Sequence, residues 1–143
     1  MTAQNLDPTA GDIKVAFSGY LAASISLDAE RVADYYDVPF LLVTAGGPMP
    51  LAGRAEVVAY LESSFQGLRE SDYARTDFPT LAFRSLGAGL AVVSGVGVRQ
   101  NTAGEPMISF GLTYLWRFAD GSWKLTVMTV HDPSATLLAD KPD

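Results

Sequence analysis

From residue 73 to residue 131 the sequence keeps a two-residue hydrophobic period, broken only where glycine and turn formers cluster. Residues 73–86 carry aromatics and threonines and end at Gly87-Ala88-Gly89. Residues 90–99 set Leu90, Val92, Ser94, Val96 and Val98 on one face. After the turn residues Asn101-Thr102-Ala103-Gly104, residues 107–118 set Ile108, Phe110, Leu112, Tyr114, Trp116 and Phe118 on one face. Asp120-Gly121 is a tight hairpin signal, and 123–131 is the last strand, ended by Asp132-Pro133. Long strands joined this closely form an antiparallel meander. Gly95, Gly97 and Gly111 are the points where it can bend. Such a sheet has an apolar face that something else in the chain must cover.

Upstream the period is helical. Ile13, Ala16, Phe17, Tyr20, Leu21, Ser24 and Ile25 recur on one face, with Thr9 and Asp12 as N-cap candidates. Asp28 caps a second, short helix over residues 29–36. Asp37-Val38-Pro39 stops it, because the residue before proline disfavours helical backbone. Residues 40–45 read as a strand. RAEVVAYLESSFQGLRE is the clearest helix, with Val57, Leu61, Phe65 and Leu68 as its buried stripe. Helices and strands are segregated, which predicts an α+β fold rather than alternating α/β. The expected architecture is a cone-like, curved antiparallel or mixed β-sheet wrapped around the N-terminal helices, with a cavity between them. Residues 11–133 form one domain in this reading, between a flexible tail at 1–10 and a C-terminal tail at 134–143.

Several kinds of chemistry are disfavoured. The stretch PFLLVTAGGPMPLAG, residues 39–53, mimics a phosphate cradle, but Pro48 and Pro50 remove two backbone donors and no Lys-Ser/Thr follows Gly53. It reads instead as a hairpin with a proline-guarded edge. Gly95-Val96-Gly97 lacks the third glycine of a dinucleotide fingerprint, and no serine sits in a G-x-S-x-G elbow. One histidine, no cysteine and no carboxylate cluster leave little for a metal site, so neither metal nor cofactor is expected. A net charge of -6 with scattered basic residues argues against nucleic acid and against anionic membranes. The first residues lack a basic and an apolar signal region, and no apolar run approaches the roughly 20 residues of a membrane helix. The expectation is a cytoplasmic protein whose partner is a small molecule.

The chemical candidates each admit two readings. His131, the only histidine, is either a general base oriented by Asp132 or a backbone carbonyl, or a strand-end residue capping the sheet or sitting at a subunit contact. Asp37 and Asp77 lie nearest to apolar surroundings, where a carboxyl can act as acid or base. Asp37 also fits a helix end or turn, and Asp77 also fits pairing with Arg75 or Arg99. Tyr20, Tyr114 and Trp116 put polar tips on apolar bodies, suited to a cavity wall or to plain core. Arg99 shares a face with Gly95 and Gly97, which makes room for an anionic ligand or places it at a solvated sheet end or dimer interface.

Three segments carry a resemblance: YLAASISLDAERVADYYDVPFLLV, LAGRAEVVAYLE and TYLWRFADGSWKLTVMTVHD. Their order, the G-R-x-E start of the helix and the aromatic-R-x-x-D-G-x-W-K hairpin resemble the nuclear transport factor 2-like superfamily, over residues 12–132. That superfamily has a cystatin-like fold and includes the SnoaL-like proteins and ketosteroid isomerases. The resemblance implies no single activity, because the fold hosts many. Compared with ketosteroid isomerases, Tyr20 falls at the tyrosine oxyanion donor and Tyr114 at the protonated-acid position. Thr44 falls at the aspartate base. Threonine cannot abstract a carbon-bound proton near neutral pH, so that isomerisation is not expected here. The cavity wall is assigned to Tyr20, Phe40, Thr44, Phe110, Tyr114 and Trp116, with His131, Asp77 and Tyr20 as catalytic candidates. Two readings follow: a SnoaL-like enzyme moving a proton on an apolar oxygenated substrate by isomerisation, cyclisation or dehydration, or a non-catalytic binding or dimerisation domain. A homodimer through the outer sheet face, where Met107, Gly111 and Leu115 are only mildly polar, is expected in either case.

Overall fold

The computed structural model of the chain describes residues 10–135, with side chains from residue 13. Helix α1 (Ala10–Ile25) is followed by α2 (Ala29–Ala33), the hairpin β1 (Tyr36–Thr44) and β2 (Gly47–Leu51), and α3 (Arg54–Arg69). The meander is β3 (Tyr73–Gly87), β4 (Leu90–Asn101), β5 (Pro106–Ala119) and β6 (Ser122–His131). All six strands join one sheet in the order β2-β1-β6-β5-β4-β3, antiparallel except where β1 runs parallel to β6. The α+β architecture expected from the period change is therefore present. Thr9, the Asp12 side chain, the tail at 1–9 and residues 136–143 lie outside the described residues. No described helix is long and apolar enough to cross a membrane.

The helices cover one face of the sheet. Ile13, Phe17, Tyr20 and Ala23 form the buried stripe of α1, and Val57, Leu61 and Phe65 that of α3. Phe17 is the centre, with the rings of Phe78, Tyr114 and Tyr20 at 5.4, 5.5 and 5.8 Å. Asp28 caps α2 as expected, accepting from the Arg31 N–H at 3.2 Å. Arg54, the arginine of the G-R-x-E signature, pairs with Glu30 at 3.0 Å and Asp34 at 2.9 Å, tying the start of α3 to α2.

One expectation is corrected at the second helix. α2 ends at Ala33, not near Tyr36, and β1 starts at Tyr36 rather than Phe40. Long-range pairing outweighs the local helix signal: the Leu125 N–H donates to the Tyr35 carbonyl at 2.7 Å, and Tyr36 packs on Phe40 with ring centroids 4.5 Å apart. Pro39 then sits inside the strand, at the place where the β1–β6 register shifts between Tyr36 and Leu41. A ladder position without an N–H belongs at such an irregularity.

Side-chain size, rather than hydrophobicity, decides which face of β4 turns inward. Across the β4–β5 pair, Gly97 opposes Phe110, Gly95 opposes Leu112, Val93 opposes Tyr114 and Ala91 opposes Trp116. Bulky inward residues on β5 are matched by small ones on β4. A Cβ on Gly97 would collide with the Phe110 ring, so glycine there lets the ring lie across the strand. Val92, Ser94, Val96 and Val98 point to the other face.

Candidate functional site

Between the inner sheet face and the three helices lies a cavity of about 180 Å³. Its floor holds Tyr20 from α1, Tyr36 from β1 and Tyr114 from β5, all buried. Leu61 and Phe65 of α3, Phe78 of β3 and Met128 of β6 make the apolar wall. Tyr60, Ser64, Tyr73, Thr76, Arg99 and Phe110 form the more accessible rim, where the Tyr73 and Thr76 hydroxyls bond each other at 2.8 Å.

The three floor tyrosines form an electrostatic unit. Ring centroids of Tyr36 and Tyr114 lie 6.4 and 5.9 Å from that of Tyr20. Burial raises the Tyr20 pKa, and hydrogen bonding with Tyr36, Tyr114 and Ser24 offsets part of the rise. Tyr36 and Tyr114 are pushed further up, first by burial and then by the neighbouring Tyr20. All three are protonated donors at neutral pH. Of the three, Tyr20 is the one whose negative charge its neighbours stabilise, which makes its oxygen the focus of the cluster. Donors converging in a buried floor suit an oxygen that carries or develops negative charge.

Of the residues the sequence singled out, Tyr20, Phe110, Tyr114 and Arg99 line this cavity. Phe40 and Trp116 stand outside its lining as core: Phe40 packs on Tyr36, and Trp116 on Tyr20 with centroids 5.6 Å apart. Among the described residues the buried Trp116 indole N–H has no acceptor. Thr44 closes the β1–β2 turn, its hydroxyl accepting from the Gly46 N–H at 3.1 Å. It too is absent from the cavity lining.

The remaining titratable candidates face away from the cavity. His131 opposes Gly111 on the outer sheet face, while Met128 and Val130 of the same strand point inward. A two-residue period forbids His131 from joining them. Its Nδ1 donates to the Asp132 carbonyl at 3.0 Å, and its Nε2 is hydrogen-bonded with the Thr113 hydroxyl at 2.7 Å. Thr113 and the buried Ser94 are joined at 2.8 Å. Gly111 permits this close fold-back, since a Cβ there would stand 2.5 Å from Nδ1. The Asp132 carboxylate instead accepts from the Ser134 hydroxyl at 2.7 Å. Asp77 opposes Val98 on the same outer face, pairs with Arg75 and accepts from Gln100 at 2.8 Å.

Asp37 is also structural. Burial disfavours its charge, but hydrogen bonds from Arg117 and Thr126 and the charge of Arg117 prevail and lower its pKa. Thr126 reaches it at 3.1 Å from the β6 bulge where the β5 register shifts. Arg117, Asp120-Gly121, Trp123 and Lys124 of the hairpin signature are thereby explained as scaffold. Asp120 and Gly121 make a turn with φ 53° and 83°, and Lys124 donates to the Asp34 carbonyl at 2.6 Å.

Sequence reasoning missed Tyr36, Tyr60 and Tyr73. Tyr36 was detectable by extending the even-numbered face of Phe40 and Leu42 back through Pro39. Tyr60 and Ser64 adjoin Leu61 and Phe65, on the flank of the α3 stripe. Among the described residues no cluster of three or more histidines and carboxylates could hold a metal ion.

A family model described as NTF2-like protein (DUF6841) matches residues 11–133. No curated protein matches the sequence. The fold is shared with many solved structures, three of which illustrate the range. An NTF-2 like protein of unknown function from Shewanella oneidensis MR-1 is 18% identical with a TM-score of 0.69, covering 85% of this chain and 98% of that one. A ketosteroid isomerase-like protein from Erwinia carotovora atroseptica SCRI1043 is 19% identical with a TM-score of 0.65, covering 91% and 97%. Aln2 from a Streptomyces species is 12% identical with a TM-score of 0.70, covering 89% and 94%.

Proposed function

This chain belongs to the NTF2-like family whose model spans residues 11–133, and from that membership and its cavity we propose that it binds a small, largely apolar, oxygenated molecule. The observation that carries the reading is the convergence of Tyr20, Tyr36 and Tyr114 at the floor of an otherwise apolar wall. The ligand's carbonyl or hydroxyl oxygen takes hydrogen bonds there, and its body contacts Leu61, Phe65, Phe78 and Met128. Size narrows the class. A cavity near 150 Å³ is enough for a benzene ring, so about 180 Å³ suits one ring with a short arm.

No Asp, Glu or His lines the cavity among the described residues. The floor can therefore polarise an oxygen, but the wall supplies no base with an ordinary pKa near neutrality. That favours binding over proton abstraction by the protein. The test is a titration of wild type and Tyr20→Phe with ring-substituted phenols of graded acidity, followed by calorimetry. Affinity that rises with phenol acidity in wild type, and more weakly in Tyr20→Phe, supports the reading. Affinity that is flat with acidity and indifferent to Tyr20 sinks it.

We also propose a homodimer through the outer face of β4, β5 and β6. The support is a continuous half-buried apolar surface, Val92, Val96, Leu115 and Val127, around the satisfied polar network of Ser94, Thr113 and His131.

A further inference from the structure

Arg99 stands out among the cavity residues. It is the one cation of the lining among the described residues, on the inner face of β4 where the neighbouring inward positions are Gly97 and Gly95. The chain carries 16 acidic residues against 10 basic ones, yet none of the described acids is paired with it. Its guanidinium carbon lies 4.8 Å from the centroid of the Phe110 ring, a cation–π contact. Phe110 can lie there because Gly97 has no side chain. Glycine, phenylalanine and arginine thus form one device: the small residue seats the ring, and the ring seats the cation at the cavity rim. With no hydrogen bond or ion pair to another described residue, the guanidinium has its N–H groups available to a planar anion.

We propose that Arg99 binds a carboxylate, so that the ligand of this cavity is a small organic acid. Its carboxylate sits at the rim, its apolar one-ring body in the wall, and its hydroxyl or carbonyl oxygen on the tyrosine floor. The proposal rests on the binding reading given above and adds the ionic end of the ligand. The lining has one guanidinium, no second cation and no glycine-rich amide nest among the described residues, which matches a monoanion rather than a phosphate dianion. The dimensions agree. Phe110 and Tyr114 are four residues apart on one face of β5, about 13 Å at roughly 3.3 Å per residue. Their side chains and the guanidinium reach into that interval, which leaves room for a ring and a two- or three-carbon arm.

The test uses 4-hydroxycinnamate, its methyl ester and cinnamate as probes in isothermal titration calorimetry. Wild type is expected to bind the acid at least about tenfold more tightly than the ester, the scale of one charge-assisted contact. Arg99→Gln should lower the affinity for the acid by about tenfold to a hundredfold and leave the ester unchanged. Arg99→Lys should fall between them, keeping the charge without the planar fork. Tyr20→Phe should weaken both hydroxylated probes and spare cinnamate. An ester bound as tightly as the acid, or an acid indifferent to Arg99→Gln, overturns the carboxylate assignment while the cavity reading stands. No binding of any probe to wild type overturns both. Arg99 is partly exposed, so its variants should keep the wild-type melting temperature within a few degrees.

Discussion

Asp37 shows how a residue that looks catalytic is fixed as scaffold by its neighbours. Arg117 Nε donates to one carboxylate oxygen at 2.9 Å, and the carboxylate is only 16% exposed while the arginine is 50% exposed. Its folded pKa is lowered, so the stability it contributes is present above the unfolded value of about 3.9 and is lost as pH falls through the folded one. Asp37→Asn should lower the melting temperature by a few degrees at pH 7, and the gap to wild type should close below about pH 4. A gap that does not narrow at all as the pH falls below about 4 would mean the carboxylate charge is not what stabilises this corner. The tyrosine cluster has the opposite sign. Tyr20, Tyr36 and Tyr114 have raised pKa values, so their contribution is intact below the unfolded value of about 10 and is lost as pH rises through the folded values. Alkaline titration of tyrosinate absorbance should show these three ionising only together with loss of tertiary structure. Tyr20→Phe should cost about 1 kcal/mol at neutral pH and blunt the alkaline transition.

At the level of elements, periodicity identified β3 to β6 and α3 because each is long and one of its faces is buried. The start of β1 was hidden, since Tyr36 is recruited by β6, some ninety residues downstream, and a local window contains no trace of that partner. The inward face of β4 was hidden for a different reason: Val92, Val96 and Val98 are more apolar than the glycines that actually face the helices. Only the bulk of Phe110, Leu112, Tyr114 and Trp116 across the ladder explains the choice. The same parity separated the candidates, sending His131 and Asp77 outward and keeping Tyr114 and Arg99 within. Size matching between β4 and β5 predicts a coupled pair. Gly97→Ala should destabilise by about 1–3 kcal/mol through overpacking. Combining it with Phe110→Leu should recover part of that loss, a non-additivity measurable in denaturant unfolding. Strict additivity would mean the ring does not depend on the glycine.

For the whole molecule, one sheet face is sealed by helices and the other is left to solvent or to a partner. A stable interface of ordinary size removes about 800 Å² from each partner, roughly a tenth of the 7619 Å² this chain exposes. The outer face has the right character for that. Val92, Val96, Leu115 and Val127 are apolar, and Ser94, Thr113 and His131 satisfy one another, so contact would strand few polar groups. Asp37 and Arg117 cancel each other at one end, and Asp77 with Arg75 at another, which keeps like charges from opposing a two-fold partner. The prediction is a dimer at micromolar concentration by sedimentation velocity. Leu115→Glu should yield a monomer, because a two-fold axis brings an unpaired carboxylate in from each copy and buries both. The monomer should keep its cavity, which lies on the other side of the sheet, so ligand affinity should be unchanged. A wild-type chain that sediments as a monomer at tens of micromolar would refute the dimer, and a monomeric variant that loses binding would show that the two faces are coupled.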